Sequence, residues 1–384
     1  MKDISLYFQP VGNTEEKIED SLHTYINIYQ EEEFPTLDKK GVAIFHVPEY
    51  RNDTHAKEKR YKNEFRNKLY RLFSGSNWEH TIYDLGNIAP GKHINDTFHA
   101  IETVCEELIK KEIIPIVVGG THDLTNAIYN TYGKLEQLVN LTVVDHKIDL
   151  GDANQQVKSD GWLSHLLLQK PCYLFNFANI GLQGHYTSKN SLKLFEELYF
   201  DVTRLGDISS NITLAEPQLR NTDLLSFDLN SIRASDLQNE NYSSPNGVFA
   251  HEACQIMRYA GISDKLTSVG VFNYFSENHQ VTDELLAQLI WYFNEGYANR
   301  KGDFPIGSKK SYTKYRVFLE ELNEEILFYK SDKSSRWWIE VPYPGTSKSK
   351  FLRHQMVPCD YNTYQEAMKG EIPDVWWKTY QKFV

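Results

Sequence analysis

The sequence has few of the features that mark secreted, membrane-spanning or metal-ribbon proteins. Its four cysteines are far apart and form no C-x-x-C pair, a pattern that favours free thiols in a reducing compartment over a disulfide framework or a structural zinc site. The best apolar run, at 113–118, contains Pro115 and is much shorter than the roughly 20 residues that span a bilayer. The N-terminal stretch mixes charged and apolar residues and lacks the apolar segment of a signal peptide. We therefore expect a soluble cytoplasmic protein without a membrane partner.

Positive charge is also scarce. Lys and Arg together number 41 against 52 Asp and Glu, a formal net charge of −11. An acidic chain offers no general attraction for a phosphate backbone, so we expect no nucleic-acid partner. Hydrophobic residues make up 41% and charged residues 24% of the 384 positions, which excludes disorder as the main state. The length suits one large domain with an appendage.

Short runs rich in β-branched residues alternate along the chain with stretches of helical period. The predicted strands are 41–47, 113–118, 141–145, 223–229 and 266–272, and the predicted helices are 62–73, 95–111, 124–130, 248–259 and 283–297. Apolar strands separated by helices indicate a parallel sheet that is covered on both faces. We predict a three-layer α/β/α domain at residues 1–300, in which ligands bind beyond the carboxyl ends of the strands.

The composition changes after about residue 300. Four of the seven tryptophans (Trp337, Trp338, Trp376 and Trp377) lie in this last part of the chain. The predicted elements are a helix at 315–325, a hairpin of strands at 326–329 and 337–341, and a short helix at 361–368. We therefore predict a C-terminal hairpin-and-helix extension at 301–384, which buries its aromatic residues against the main domain or against a partner.

Polar clusters follow three of the predicted strands. The three segments are Ile116–Asp123 (IVVGGTHD), Val143–Asp149 (VVDHKID) and Leu225–Asn230 (LSFDLN). Side chains alternate along a strand with period two. If the strand geometry continues, Asp145, Lys147 and Asp149 therefore project to one side and His146 turns away, and Asp228 shares a face with Asn230.

This ordered series of segments resembles the ureohydrolase superfamily (arginase, agmatinase and formimidoylglutamase). The motifs of that superfamily are G-G-D-H-S, D-A-H-x-D and S-[FILV]-D-[ILV]-D at three successive strand ends. The resemblance covers roughly residues 40–298, and smaller similarities at 159–165, 181–183 and 245–252 make the formimidoylglutamase branch the nearest. It implies hydrolysis of a C–N bond in a linear amidine or guanidine, with two Mn²⁺ and a bridging hydroxide. It also implies a homo-oligomer, since the family usually forms trimers or hexamers.

The resemblance places the six metal-ligand positions of the family on His122, Asp145, Lys147, Asp149, Asp228 and Asn230. Four of these keep a ligand type, namely His122, Asp145, Asp149 and Asp228, and they correspond to the complete ligand set of one metal. At the other two positions Lys147 replaces a His and Asn230 replaces an Asp. Both replaced residues are ligands of the second metal alone, so the resemblance implies that this second metal position is degenerate.

A lysine ammonium carries three donors and no lone pair, so it cannot ligate a metal while charged. It would instead offset the charges of Asp145, Asp149 and Asp228 through ion pairs. An Asn at position 230 removes one negative charge, which fits a site with less cation to balance. We therefore interpret Lys147 and Asn230 as a compensated pair, and we take Asp145, Lys147 and Asp228 as the candidate catalytic groups.

Two classes of function stay open. The protein is either a non-catalytic or very weakly active relative of formimidoylglutamase with a binding or assembly role, or a one-metal amidine or guanidine hydrolase of unidentified substrate. The double loss at one metal favours the first. So does the segment Phe272–Ser276 (FNYFS), which lacks the substrate-holding Glu of the family's E-x-N-P. The sequence leaves open whether the chain binds one Mn²⁺ or none, and it assigns no substrate-binding residue.

Overall fold

The chain folds around a large twisted sheet that its helices cover on both sides. The computed structural model describes residues 3–12, 14–31, 33–53, 64–152, 154–238, 242, 244–275, 279–345 and 351–384. Within these ranges there is a ten-stranded sheet and, towards the C-terminus, a separate four-stranded sheet. No helix in these ranges is long and apolar enough to cross a membrane. The prediction of a three-layer α/β/α fold with a C-terminal extension is confirmed.

The large sheet is parallel except at one edge. Its strands are β1 (Phe8–Gln9), β2 (Asn27–Ile28), β3 (Gly41–Val47), β4 (Thr81–Ile88), β5 (Ile113–Gly119), β6 (Val139–Val144), β7 (Leu174–Leu182), β8 (Asp201–Arg204), β9 (Leu224–Asp228) and β10 (Ser268–Phe272). The order across the sheet is β1-β4-β3-β5-β10-β9-β6-β7-β8, with β2 also beside β4. Strand β1 runs antiparallel to β4, and the other pairs are parallel. The carboxyl ends of β5, β10, β9 and β6 therefore meet at one edge.

Ten helices lie in the described part of the main domain. They are α1 (Leu22–Tyr25), α2 (Phe65–Tyr70), α3 (Ile94–Lys110), α4 (Thr125–Lys134), α5 (Trp162–Leu168), α6 (Lys189–Glu197), α7 (Leu205–Ser210), α8 (Ala215–Arg220), α9 (Ala250–Ile262) and α10 (Gln280–Ala298). Apolar residues of α2, α8, α9 and α10 form one core with one face of the sheet. Residues of α3, α4, α5 and α6 form a second core with the other face.

Two long strands, β4 and β7, were not predicted from the sequence because polar residues interrupt their apolar runs. Strand β4 contains Asp84, whose carboxylate is fully buried and binds Arg66. Strand β7 contains Asn176 and Asn179, which are both buried. The predicted helix at 62–73 begins outside the described residues, and within its described part the helix α2 covers Phe65–Tyr70.

The extension is a meander of four strands followed by two helices. Its elements are β11 (Tyr312–Leu319), β12 (Glu324–Ser331), β13 (Trp337–Glu340), β14 (Met356–Cys359), α11 (Tyr361–Met368) and α12 (Asp374–Gln381). The predicted helix at 315–325 is wrong, since this segment contains most of β11 and the turn into β12. Val317 and Leu319 are buried in the core of the extension and Tyr315 packs against it. This alternation has the period of a strand and not that of a helix.

Buried charged groups connect the extension to the main domain. The Arg353 guanidinium lies 2.8 Å from the carboxylate of Asp223, which is fully buried at the start of β9. From the main domain, Arg220 donates to the carbonyl oxygen of Cys359 at 2.9 Å and lies over the Trp338 ring. Breaking such contacts would leave charges buried without partners, which is strongly destabilising. The extension therefore lies on the main domain as an integral part of the fold.

His354 gives this contact a dependence on pH. Burial, and then the charges of Lys265, Arg353 and Lys382, hold the pKa of its imidazole well below the usual value. In the unfolded chain the group titrates near 6.5. Below that pH the imidazole takes up a proton in the unfolded state but stays neutral in the folded state, so the stability of the fold falls as the pH falls. Between pH 7.5 and 5.5, the free energy of unfolding of the parent should fall by about 1.4 kcal/mol more than that of His354→Gln, as measured by urea unfolding. Equal losses would contradict a neutral, buried His354.

Candidate metal centre at the carboxyl edge of the sheet

The candidate site lies where β5, β6 and β9 end. Strand β5 ends at Gly119, and Gly120 packs so tightly that a Cβ there would meet the Glu49 carbonyl oxygen. Only glycine fits such a close backbone approach. The chain then enters a short 3₁₀ turn at His122–Leu124, which directs His122 towards the residues that follow β6 and β9. The predicted residues of three separate segments thus come together at one edge.

His122 is at the centre of the cluster and is fully buried. Its Nδ1 lies 3.0 Å from Asp149 Oδ2 and 3.7 Å from the nearest oxygens of both Asp145 and Asp228. Its Nε2 is 2.9 Å from the hydroxyl of Ser226. Burial alone would lower the pKa of His122, but the hydrogen bond to Asp149 and the surrounding carboxylates outweigh it and raise the pKa to about 9. Without an ion, His122 is therefore an imidazolium near neutral pH.

Lys147 extends into the same cluster. Its Nζ lies 3.0 Å from Asp149 Oδ1, and its side chain is 31% exposed. Burial opposes the charge on Lys147, but Asp149 and Asp145 outweigh burial and raise its pKa. Burial likewise acts to raise the pKa of Asp149, and the charge of Lys147 and the bond from His122 lower it overall. Asp149 is therefore ionised between two cations.

Asp228 has a different environment. Its Oδ1 accepts hydrogen bonds from the backbone N–H of Asn230 at 2.8 Å and from Nδ2 of Asn273 at 2.7 Å. Burial, followed by repulsion from Asp145, raises the pKa of Asp228 to about 6. The backbone N–H of Asn230 therefore makes the contact between this residue and the Asp228 carboxylate. A carboxylate with a raised pKa is a group that can take up a proton or bind a cation.

The prediction that His146 turns away from the site is wrong. His146 Nδ1 lies 2.8 Å from Asp145 Oδ1, and the ring stacks on that of Tyr242 with centroids 4.6 Å apart. Period-two alternation holds only in extended backbone, and β6 already ends at Val144. The loop that follows brings His146 to the site together with Asp145.

Sequence reasoning also missed three residues that position the candidate ligands. Trp162 donates from Nε1 to Asp149 Oδ2 at 2.9 Å, Ser226 contacts His122, and Asn273 donates to Asp228. Ser226 belongs to the LSFDLN segment and Asn273 directly follows β10. Their positions next to strand ends were the available signal. Trp162 lies within the segment 159–165 that resembles the family.

Two groups of buried side chains in the described residues could each hold a cation. One is His122, Asp145 and Asp149, and the other is Asp145, His146 and Asp228, so the two groups share Asp145. In each group, one ligand atom from every residue lies within 4.8 Å of the others. Imidazole and carboxylate are ligands that suit divalent transition metals.

Comparison with known proteins agrees with this arrangement. The family model described as "Arginase family" matches residues 54–293. The chain belongs to the arginase family. A search of curated proteins gave no match. Among solved structures, Trypanosoma cruzi formiminoglutamase with Mn²⁺ is similar, with a TM-score of 0.62 and 16% identity over 73% of this chain and 99% of that one.

Two further structures show the same fold. Formimidoylglutamase from Bacillus subtilis has a TM-score of 0.64 and 14% identity, covering 77% of this chain and 97% of its own. An arginase from Medicago truncatula has a TM-score of 0.54 and 14% identity, covering 67% of this chain and 87% of its own. The predicted resemblance to the ureohydrolase superfamily is confirmed, and formimidoylglutamases are among the solved structures that share the fold.

The residues present in this arginase-family chain fit a divalent ion such as Mn²⁺. Asp145 Oδ2 is buried, and among the described residues it has no hydrogen-bond partner. His146 Nδ1 is buried as well and lies 2.8 Å from Asp145 Oδ1. Buried polar atoms normally find partners, so an unpartnered carboxylate oxygen beside other carboxylates and an imidazole is positioned as a metal ligand would be. The chain thus offers metal-binding residues.

Proposed function

We propose that this arginase-family protein has lost one of the two metal positions of its relatives and is non-catalytic or very weakly active, with a role in binding or assembly. One observation carries the proposal: the ammonium of Lys147 lies 3.0 Å from Asp149 Oδ1, inside the acidic cluster. A fixed cation there reduces the attraction that the carboxylates exert on a second ion. The proposal therefore limits the site to at most one divalent ion per chain.

Charge balance supports this limit. Asp145, Asp149 and Asp228 contribute three carboxylates, which Lys147 and a protonated His122 already offset in part. Like charges repel strongly inside a protein, where the effective dielectric constant is low. One ion ligated by His122 would have to displace the proton on that ring. A second ion would in addition have to displace the Lys147 ammonium, which is the larger rearrangement.

A single ion would be held by His122, Asp145, Asp149 and Asp228. When bound, it would supply a positive charge that polarises a C=O or C=N bond and lowers the pKa of a bound water molecule. Around it, Trp162 and Ser226 hold Asp149 and His122 in place. Two ions about 3.5–4 Å apart clamp both the attacking and the leaving groups, so a one-ion site lacks part of the means of hydrolysis.

The binding or assembly role is proposed for the aromatic extension. Tyr361 and Trp377 expose 52% and 42% of their surface on its two helices. Trp and Tyr are enriched at protein interfaces. We propose that a second copy of the chain binds here, which would make the protein a homo-oligomer.

A one-metal hydrolase acting on a linear amidine or guanidine is the second candidate. The group of Asp145, His146 and Asp228 favours it, because His146 could serve as a ligand one position before the family's His. Replacing His146 by Ala should then release the ion and abolish turnover of an amidine or guanidine, whereas the first proposal predicts no turnover to lose. Elemental analysis and an activity assay of the parent and this variant separate the candidates.

Ion stoichiometry and turnover test the main proposal. We expect the chain, incubated with excess MnCl₂ and desalted, to retain at most one Mn²⁺ by elemental analysis. We also expect no hydrolysis of arginine, agmatine or formimidoylglutamate with Mn²⁺ in excess. Two tightly held ions per chain, or a kcat of about 1–10³ s⁻¹ on any of these compounds, contradicts the proposal.

A further inference from the structure

A cavity lies at the amino ends of β6 and β7, opposite to the edge that carries the metal centre, between the main domain and the extension. Its volume is about 370 Å³, within the range of small-molecule sites. The floor is formed by the amino-terminal halves of β6 and β7, and the walls by α8 and by β14, α11 and α12 of the extension. Asn140 in the floor and Asp145 in the metal centre are five residues apart along β6, roughly 17 Å at the rise of a strand. The two sites are therefore separate.

The floor is polar where a parallel sheet is normally apolar. On this face, the later residues Val144 and Ile180 belong to the main hydrophobic core, whereas Asn140, Thr142 and Asn176 line the cavity. Asn140 and Asn176 are register partners on β6 and β7. Central parallel strands usually read as near-continuous hydrophobic runs. Thr142 pairs with Thr222, and Asn176 pairs with Asp201 and Lys382, so Asn140 is the floor residue that still requires an explanation.

Asn140 points to a ligand. The residue is only 3% exposed, and its Nδ2 donates to the Asn221 carbonyl oxygen at 2.8 Å. Its Oδ1 is buried with no hydrogen-bond partner among the described residues. The same holds for Gln218 Oε1, while its Nε2 donates to Thr203. A buried acceptor without a partner costs about 1–3 kcal/mol, a cost that a ligand with a donor group would remove.

The charged side chains that line the cavity are all acidic. Among the described residues they are Asp201, Asp360, Glu366 and Asp374, and no Lys, Arg or His belongs to the lining. Three cations lie just outside: Lys378 pairs with Asp201 and Asp374, Lys382 donates to Asn176, and Arg220 donates to the Cys359 carbonyl oxygen. Asp360 and Glu366 form no ion pair within the described part of the chain. The unpartnered acceptor atoms, together with these two carboxylates, therefore favour a positively charged donor.

We infer that this cavity binds a small organic cation through an ammonium or guanidinium group that donates to Asn140 Oδ1 and Gln218 Oε1. Such a group offers several N–H donors and a positive charge, which matches two unpartnered acceptors surrounded by carboxylates. The ligand would contact both parts of the chain, so it would also stabilise the docked extension.

Calorimetric titration of the full chain at 0.15 M salt tests the inference. The probes are 1,4-diaminobutane for the ammonium arm and methylguanidine for the guanidinium arm, with butane-1,4-diol and succinate as neutral and anionic controls. We expect saturable binding of one cation per chain and no binding of the diol or of succinate. Absence of binding of both cations up to 10 mM, or equal binding of the diol, overturns the inference.

Variants locate the binding. Asn140→Leu and Gln218→Met each remove one acceptor and should weaken binding at least tenfold. Gln218 lies on the partly exposed helix α8, so the Gln218→Met variant remains informative if the Asn140→Leu variant fails to fold. The matched control Gln255→Met, on α9 and outside the cavity, should bind as the parent does. Asp145→Asn should also retain binding, because it alters the metal centre alone. Parent-like binding by Gln218→Met, or loss of binding in Asp145→Asn, places the cation elsewhere and contradicts the inference.

Discussion

The double substitution Lys147→His with Asn230→Asp is expected to raise the Mn²⁺ content from at most one ion to two ions per chain. The first change removes the ammonium that lies 3.0 Å from Asp149 and supplies an imidazole nitrogen. The second supplies a carboxylate next to Asp228, at the position where the backbone of Asn230 already donates to that residue. Each change restores a ligand type that Mn²⁺ prefers. Elemental analysis after desalting measures the result.

Controls for this experiment separate a rebuilt site from a general gain of negative charge. Lys134→His with Asn211→Asp makes the same chemical changes away from the centre. Lys134 is 33% exposed and paired with Glu102, which matches the exposure and pairing of Lys147. This control should bind no additional ion. If the Lys147 and Asn230 variant folds and still gains no ion, the assignment of these two positions to the second metal is wrong.

Substitution of Arg66 by Met should destabilise the fold by about 3–5 kcal/mol, because it leaves a buried carboxylate without its partner. The guanidinium donates from Nε and Nη2 to the two oxygens of Asp84 at 2.7 and 2.9 Å. It also donates to the Gly86 carbonyl oxygen and to Asn87. Both charged side chains are almost completely buried. Urea unfolding of the variant and the parent measures the difference.

Arg71 provides a matched control for the Arg66 experiment. It follows directly after α2 and pairs with Glu15 at 3.2 Å, but its side chain is 57% exposed. Exposed ion pairs contribute roughly 0–1 kcal/mol, so Arg71→Met should change stability by no more than that. Similar losses in the two variants would show that burial of Arg66 does not determine its contribution.

Much of the fold was predictable because its strands carry an unambiguous signal. Strand β3 was predicted with the observed bounds, and β5, β6, β9 and β10 within a few residues. The strands that were missed contain polar residues whose partners are distant in sequence. Asp84 in β4 requires Arg66, and Asn176 in β7 requires Lys382 of the extension. Local periodicity cannot reveal such partners.

The sequence predicted which residues form the site better than it predicted how their side chains are oriented. The resemblance identified the segments that meet at the carboxyl edge, and the structure brings His122, Asp145, Lys147 and Asp149 together there. The position of His146 was not predictable from alternation, because the rule was extended beyond the end of β6. The residues that hold the carboxylates come from loops, where no periodicity applies.

The buried carboxylate of Asp223 makes the main domain depend on the extension. Its oxygens lie 2.8 Å from Arg353 of the extension and 3.7 Å from Lys265 of the main domain. A chain cut short before residue 351 would lose the nearer of these two cations and would keep the carboxylate buried beside the more distant one, which is destabilising. Truncation of the extension is therefore not neutral for the main domain, and a shortened chain would call for an uncharged residue at position 223.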